Sequence, residues 1–154
     1  PGMFLKCYEQ RLKDQYLQIW RNQCSNNVKL SFYKDFKLNH GLEPYVTCID
    51  IPKFRKCLSA FRSSSHSLMV EQGRYYNIPR EFRHCFYCES VIEDEMHFTL
   101  FCPCYDDLRV KYFPVLYTCN PTYDKFCQLM STRKEETIRN LAMYLFYALK
   151  RRSN

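Results

Sequence analysis

Between positions 85 and 102 the chain reads CFYCESVIEDEMHFTLFC. Cys85 and Cys88 form a CxxC pair, His97 follows after eight residues, and Cys102 after four more. Two residues between cysteines let the backbone curl around a cation and offer two thiolates from one knuckle, and two downstream donors then complete a tetrahedron. With ten Cys and four His in 154 residues, all four at this spacing by chance is on the order of a few in a thousand. The expectation is one structural zinc ion held by Cys85, Cys88, His97 and Cys102. Four protein donors leave no position for water, so such an ion organises the fold rather than acting as a Lewis acid. Cys104, two past Cys102, and His84, beside Cys85, are competing donors, and disulfides among these cysteines are the other reading.

The spacing poses a geometric problem. On an ideal helix, positions 97 and 102 point about 140° apart. Pro103 disfavours helical geometry in the residue before it, which lets Cys102 swing toward the others.

Around this motif the pattern is helical. Glycine is scarce, at 3, and aromatic content is high, at 17%, which favours helices with short connections over a sheet with many tight turns. Apolar residues recur at helical steps from Met3 to Cys24, and the Lys29–Lys37 segment has the same step through Phe32, Tyr33 and Phe36. Pro44–Cys48 reads as a short extended piece. Asp50 and Pro52 open a helix that runs to about Arg62, with Phe54, Leu58 and Phe61 on one face. Residues 67–83 lack a period and contain Gly73 and Pro79, so they read as a surface loop. Ser90 and Glu93 match a capping box for a short acidic helix, Val91–Phe101. Helices from Pro103 to about Tyr112, Pro121 to Met130 and Arg133 to Arg151 follow. The expected fold is a small, mainly α domain with a CCHC zinc knuckle inserted between helices. Its segments are an N-terminal helical part (1–50), a basic helix, loop and metal module (51–113), and C-terminal helices packing on the core (114–154).

Net charge is +7 and unevenly placed. From Lys53 to Arg83 there are seven basic residues and two acidic ones, whereas residues 91–154 hold nine and eight. The run GRYYNIPREFRHC, ending at Cys85, alternates cations with rings. Arginine forks phosphates, and Tyr and Phe faces stack unpaired bases. Lys53, Arg55, Lys56, Arg62, Arg74, Tyr75, Tyr76, Arg80, Phe82 and Arg83 are therefore the candidate contacts to RNA or DNA. Packing of the rings into a core, with a solvated cationic rim, is the plainer reading of the same residues.

These residues carry a resemblance. Val70-Glu71-Gln72-Gly73-Arg74-Tyr75, the Cys85–Cys88 pair, Glu95-Met96-His97-Phe98 and Cys102-Pro103-Cys104-Tyr105 together resemble the zinc-binding region downstream of the reverse transcriptase domain in LINE-type (non-LTR) retrotransposon proteins. The likeness covers about residues 52–113. It implies a module that holds template RNA or target DNA near catalytic domains of a larger parent protein, with Cys85, Cys88, His97 and Cys102 as ligands. It does not imply that this chain polymerises: Tyr105 abuts Asp106-Asp107, whereas the polymerase box separates the aromatic from its aspartates by one residue.

No enzyme is expected of this segment. Glu93, Asp94 and Glu95 are consecutive and would spray around a helix rather than converge on a hard cation. Residues 1–20 carry scattered charges that fit no signal peptide, and no apolar run is long enough to span a bilayer. An intracellular location (nuclear, cytoplasmic or both), no membrane and no small-molecule substrate are the corresponding expectations. The first residue is Pro, and a piece of a larger protein is expected. The alternative function is a non-catalytic helical protein-interaction or structural domain in which zinc only stabilises the fold.

Overall fold

Proline at the first helical position loses no hydrogen bond, because the N–H it lacks would have no partner there. Helix α4, Pro52–Arg62, uses this start. It buries Phe54, Leu58 and Phe61 along one face, each worth roughly 1.5–3 kcal/mol of transfer free energy. The face packs against the longest C-terminal helix, α9, Glu135–Arg152, which also runs against α3, Pro44–Cys48, and α6, Asp106–Tyr112. Ile138, Leu141, Ala142, Leu145 and Ala148 are the buried stripe of α9. Its ends suit the helix dipole, with Glu135 and Glu136 in the first turn and Lys150, Arg151 and Arg152 in the last.

The structure, a computed structural model, describes residues 2–30 and 32–153. Among these the fold is mainly α. No strand forms, and the one β interaction is an isolated antiparallel bridge between His84 and Ile92. The chain divides into two compact units, Pro1–Gly41 and Leu42–Asn154. In the first, α1, Gly2–Asn26, is followed by a 3₁₀ turn, Val28–Leu30, and the short α2, Tyr33–Phe36. The expected helical segment Lys29–Lys37 covers these last two, and its Ser31 lies outside the described residues. His40 meets Tyr16 and Trp20 edge-on at 5.1 and 5.4 Å.

In the second unit, α5, Met69–Tyr75, lies between α4 and the cysteine pair. α7, Val115–Thr118, and α8, Tyr123–Ser131, lead into α9. Thr122 caps α8 by accepting the Lys125 N–H at 3.3 Å. Four buried rings, Phe98, Tyr105, Phe113 and Tyr144, form one cluster. Phe98 meets Tyr105 at 4.7 Å, Phe113 meets Tyr144 at 4.4 Å, and the Tyr144 hydroxyl donates to the Phe98 carbonyl at 2.7 Å.

Three local expectations are corrected. Pro44–Cys48 is helical rather than extended: Pro44 sits at the start, Thr47 Oγ1 returns a bond to the Pro44 carbonyl, and Cys48 is buried. Residues 67–83 are not a loop throughout, because they hold α5 and a 3₁₀ turn, Arg80–Phe82. The helix from Val91 does not form. Ile92 bridges to His84, the Glu93 N–H donates to the Arg83 carbonyl at 2.8 Å, and the capping-box side chains bond elsewhere. Helical geometry begins only around Glu95, where Asp94 Oδ1 accepts the His97 N–H at 2.8 Å as the cap.

Candidate metal centre

The CxxC pair sits on a reversed backbone. Cys85 N–H donates to the Val91 carbonyl at 2.8 Å, and the Glu89 N–H returns to the Cys85 carbonyl at 2.9 Å. Glu89 takes the left-handed conformation that closes such a turn, with φ 53°. The knuckle is thereby pinned on both sides, and its two sulfurs face one way.

His97 and Cys102 arrive by a device that ideal helical geometry does not supply. His97–Phe101 is a π-helical turn, in which the Cys102 N–H bonds the His97 carbonyl five residues back at 2.8 Å. The wider turn brings residues five apart onto one side, a geometry that often marks functional sites. Cys102 itself is extended, at φ −62° and ψ 117°, as the residue before Pro103 should be.

The result is a cluster. The donor atoms of Cys85, Cys88, His97 and Cys102 all lie within 4.8 Å of one another and could hold a metal ion. Cys102 Sγ is 3.8 Å from Cys85 Sγ and 3.8 Å from Cys88 Sγ. His97 is buried, and its Nε2 has no hydrogen-bond partner. Such an orphaned nitrogen is costly unless something else takes its lone pair. Burial raises the Cys88 and Cys102 thiols and lowers the His97 imidazole. A neutral imidazole is the form that ligates, whereas the buried thiolates need a cation to be stable. His84 and Cys104 lie outside the cluster. All ten cysteines are free of disulfides.

Three arginines that the sequence did not mark brace the segment around these donors through backbone oxygens and acids. Arg109, buried in α6, donates to the Cys102 carbonyl and to Asp106. Arg151 donates to the Cys104 carbonyl at 2.7 Å. Arg152 pairs with Glu93 and stands 4.8 Å over the Phe86 ring. Glu95 is held by Ser64 Oγ at 3.2 Å and His66 Nε2 at 3.1 Å. The three consecutive acids therefore do not spray around one helix: Glu93 meets Arg152, Asp94 caps, and Glu95 meets Ser64 and His66.

The basic-aromatic candidates divide. Tyr75, Tyr76 and Phe82 are exposed, at 79, 69 and 63%, and Arg80 is exposed beside Phe82. Arg83 is not a free arm residue: Nε donates to the Ile78 carbonyl at 2.8 Å and Nη1 to the Val70 carbonyl at 2.9 Å. Arg62 is buried, donating to the Met130 carbonyl and pairing with Glu43 at 3.0 Å. Arg74 pairs with Glu71 three residues back. On α4, Arg55 donates to the Val46 and Ile49 carbonyls, both at 3.2 Å, while Lys53 and Lys56 are exposed. Phe86 and Tyr87, inside the CxxC, are also exposed, at 60 and 48%. Sequence reasoning passed over them, although rings between two ligands on a tight knuckle have little room to turn inward.

Fold and site together define a small helical domain whose α5–α6 connection is gathered around three cysteines and a histidine. Comparison with models of protein families, with curated proteins and with solved structures finds no match. No described helix is long and apolar enough to cross a membrane.

Proposed function

We propose that this chain is a zinc-stabilised nucleic-acid-binding module, the tail of a retrotransposon reverse transcriptase-like protein, which holds RNA or DNA near catalytic domains elsewhere in the parent chain. The four-donor cluster carries the reading. Three sulfurs and an imidazole suit zinc rather than a hard cation. Two sulfurs bound about 2.3 Å from a tetrahedral ion lie about 3.8 Å apart, which is the separation Cys102 keeps from Cys85 and from Cys88. Zinc here is a folding element with no open coordination position. It fixes the strip from Tyr75 to Tyr87, whose exposed rings and Arg80 offer stacking faces and charge to unpaired bases and phosphates.

Metal quantification on purified protein, with Cys85→Ser and His97→Ala alongside, tests the ion: about one zinc per chain, lost in both variants, is expected. Binding of labelled single-stranded RNA and DNA tests the partner. Wild-type affinity falls steeply with salt, and Arg80→Gln with Phe82→Ala weakens it. Arg83 and Arg62 are poor probes because their loss disturbs the fold. Unaltered, salt-sensitive binding in the double variant would remove the arm as the site.

A second reading, a protein-interaction domain, draws support from α1. Leu5, Tyr8, Leu12, Tyr16 and Ile19 share one stripe and are each 49–58% exposed. If that stripe is the working surface, charge substitution at Leu12 and Ile19 abolishes partner capture and leaves zinc content intact.

A further inference from the structure

Rings and cations from three helices of unit Leu42–Asn154 form a connected ladder that counting charge along the chain does not reveal: Phe54 and Tyr112 are its buried links, and Lys53, Lys111 and Tyr147 reach the surface. Lys53 Nζ, on α4, stands 5.1 Å from the centre of the Phe54 ring and 5.1 Å from that of Phe146 on α9. Tyr147 meets Phe146 edge-on at 5.4 Å and Phe54 at 6.2 Å. It also lies parallel to Tyr112 of α6 at 6.1 Å. Lys111 Nζ closes the ladder, 5.2 Å over Tyr112. Beside it, an open groove of about 470 Å³ between α6 and α9 is lined by Leu108, Lys111, Tyr112, Tyr147, Lys150 and Arg151.

Residues 91–154 are nearly balanced in charge, but folding ties their acids largely to arginines and leaves lysines over. Glu93 and Glu95 are buried, Asp106 faces Arg109, and Asp107 is held by Arg151. Lys53, Lys111 and Lys150 stay exposed and are tied to no carboxylate among the described residues. Arg151 is neutralised by Asp107, so the groove's net charge rests on the two lysines. Leu108, its aliphatic lining residue, is itself buried, which leaves little for an amphipathic peptide to cover. Tyr147 is 40% exposed and offers a ring to a flat partner.

We propose that this α4–α6–α9 face is a second contact surface for single-stranded nucleic acid, with Lys111, Lys150 and Lys53 meeting phosphates and Tyr147 supporting a base. The inference rests on the proposed function and extends it to helices outside the metal region. Lysine acts here as a point charge, so it sets affinity and salt dependence without base preference.

The test compares two variants of equal charge loss in the zinc-loaded chain, using a fluorescent oligo-dT strand over a salt series. Lys111→Gln/Lys150→Gln alters the ladder. Arg133→Gln/Lys134→Gln removes two charges at the other end of α9, about 24 Å away along the helix. The ladder variant is expected to bind about tenfold more weakly and to lose about 1.4 from the log–log salt slope, at roughly 0.7 per phosphate for a single strand. The control variant changes affinity less than twofold. Unchanged zinc content and circular dichroism show that both fold. Equal weakening by the two variants overturns the inference, since charge alone then explains binding. So does a ladder variant that binds normally while Arg80→Gln/Phe82→Ala does not, an outcome that keeps the proposed function. A ladder variant that loses polyglutamate but keeps oligo-dT assigns the face to acidic peptides and also overturns it. Wild-type protein that binds no strand removes both readings.

Discussion

Arg152 grips Glu93 with two parallel hydrogen bonds, Nε to Oε1 at 2.6 Å and Nη2 to Oε2 at 2.7 Å, and both side chains are almost wholly withdrawn from solvent. Glu93 Oε2 also accepts the Met69 N–H at 2.7 Å, an otherwise orphaned donor at the start of α5. One carboxylate thus ties the end of α9 and the start of α5 to the segment between Cys88 and His97. Removing one member of a buried pair strands the other, at about 3–5 kcal/mol. Arg152→Ala is expected to lower unfolding stability by that order, measured by urea titration, and to speed loss of metal to a chelator. Arg152→Lys keeps the charge but cannot fork both oxygens, so it recovers only part of the loss.

Gly73 lies inside α5 where a helix former would ordinarily be preferred. A Cβ there would sit 2.5 Å from Arg83 Cγ and 2.7 Å from its Cδ. These atoms belong to a side chain fixed by two backbone carbonyls, so it cannot move without breaking them. Gly73→Ala is expected to destabilise the unit by roughly 1–3 kcal/mol, as overpacking does, despite the gain in helix propensity. Thermal unfolding measures it, and equal or higher stability would show that Arg83 has another resting place.

How far these features can be read in the sequence depends on whether their cause is local. The spacing of the four donors and the proline starts of α4 and of the 103–112 segment are local signals, and each corresponds to structure. α5 is not readable, because its first N–H is satisfied by Glu93, 24 residues away. Ser90 and Glu93 satisfy a capping pattern that the fold overrides: the Glu93 carboxylate meets Arg152 and the Met69 N–H instead of its own turn. Arg62 and Arg83 look like surface cations because composition cannot show a carbonyl waiting in the core. The π turn at His97–Phe101 is likewise invisible, although the 140° mismatch shows that an undistorted helix cannot serve both ligands.

Asp107 takes both guanidinium nitrogens of Arg151 at 2.7 Å. These bonds hold its carboxyl down to about 2. A carboxyl lowered in the folded state contributes stability that is fully present above its unfolded pKa, near 3.9, and fades as pH falls through about 2. The side chain is exposed, so the global effect is small, and the better measurement is carbon-detected NMR titration of Asp107 itself. The expected midpoint lies near 2 in the wild type and returns to the ordinary range in Arg151→Gln. An unshifted midpoint in the wild type would show that the fork does not persist in solution.

Single substitutions separate ligand from bystander at the cluster. Cys104 is two residues past Cys102 and His84 abuts Cys85, yet neither joins the four donors. Cys104→Ser and His84→Ala are therefore expected to retain one equivalent of metal, whereas Cys102→Ser loses it. Asp94→Ala removes the cap on His97, costing about 1 kcal/mol of local stability. It should weaken metal affinity by roughly 10-fold, the low end for a supporting contact. Titration with Co²⁺ measures each, because thiolate-to-metal charge-transfer absorption reports how many sulfurs remain bound. Strong binding in Cys102→Ser together with loss in Cys104→Ser would mean that the chain after the π turn delivers the other thiol.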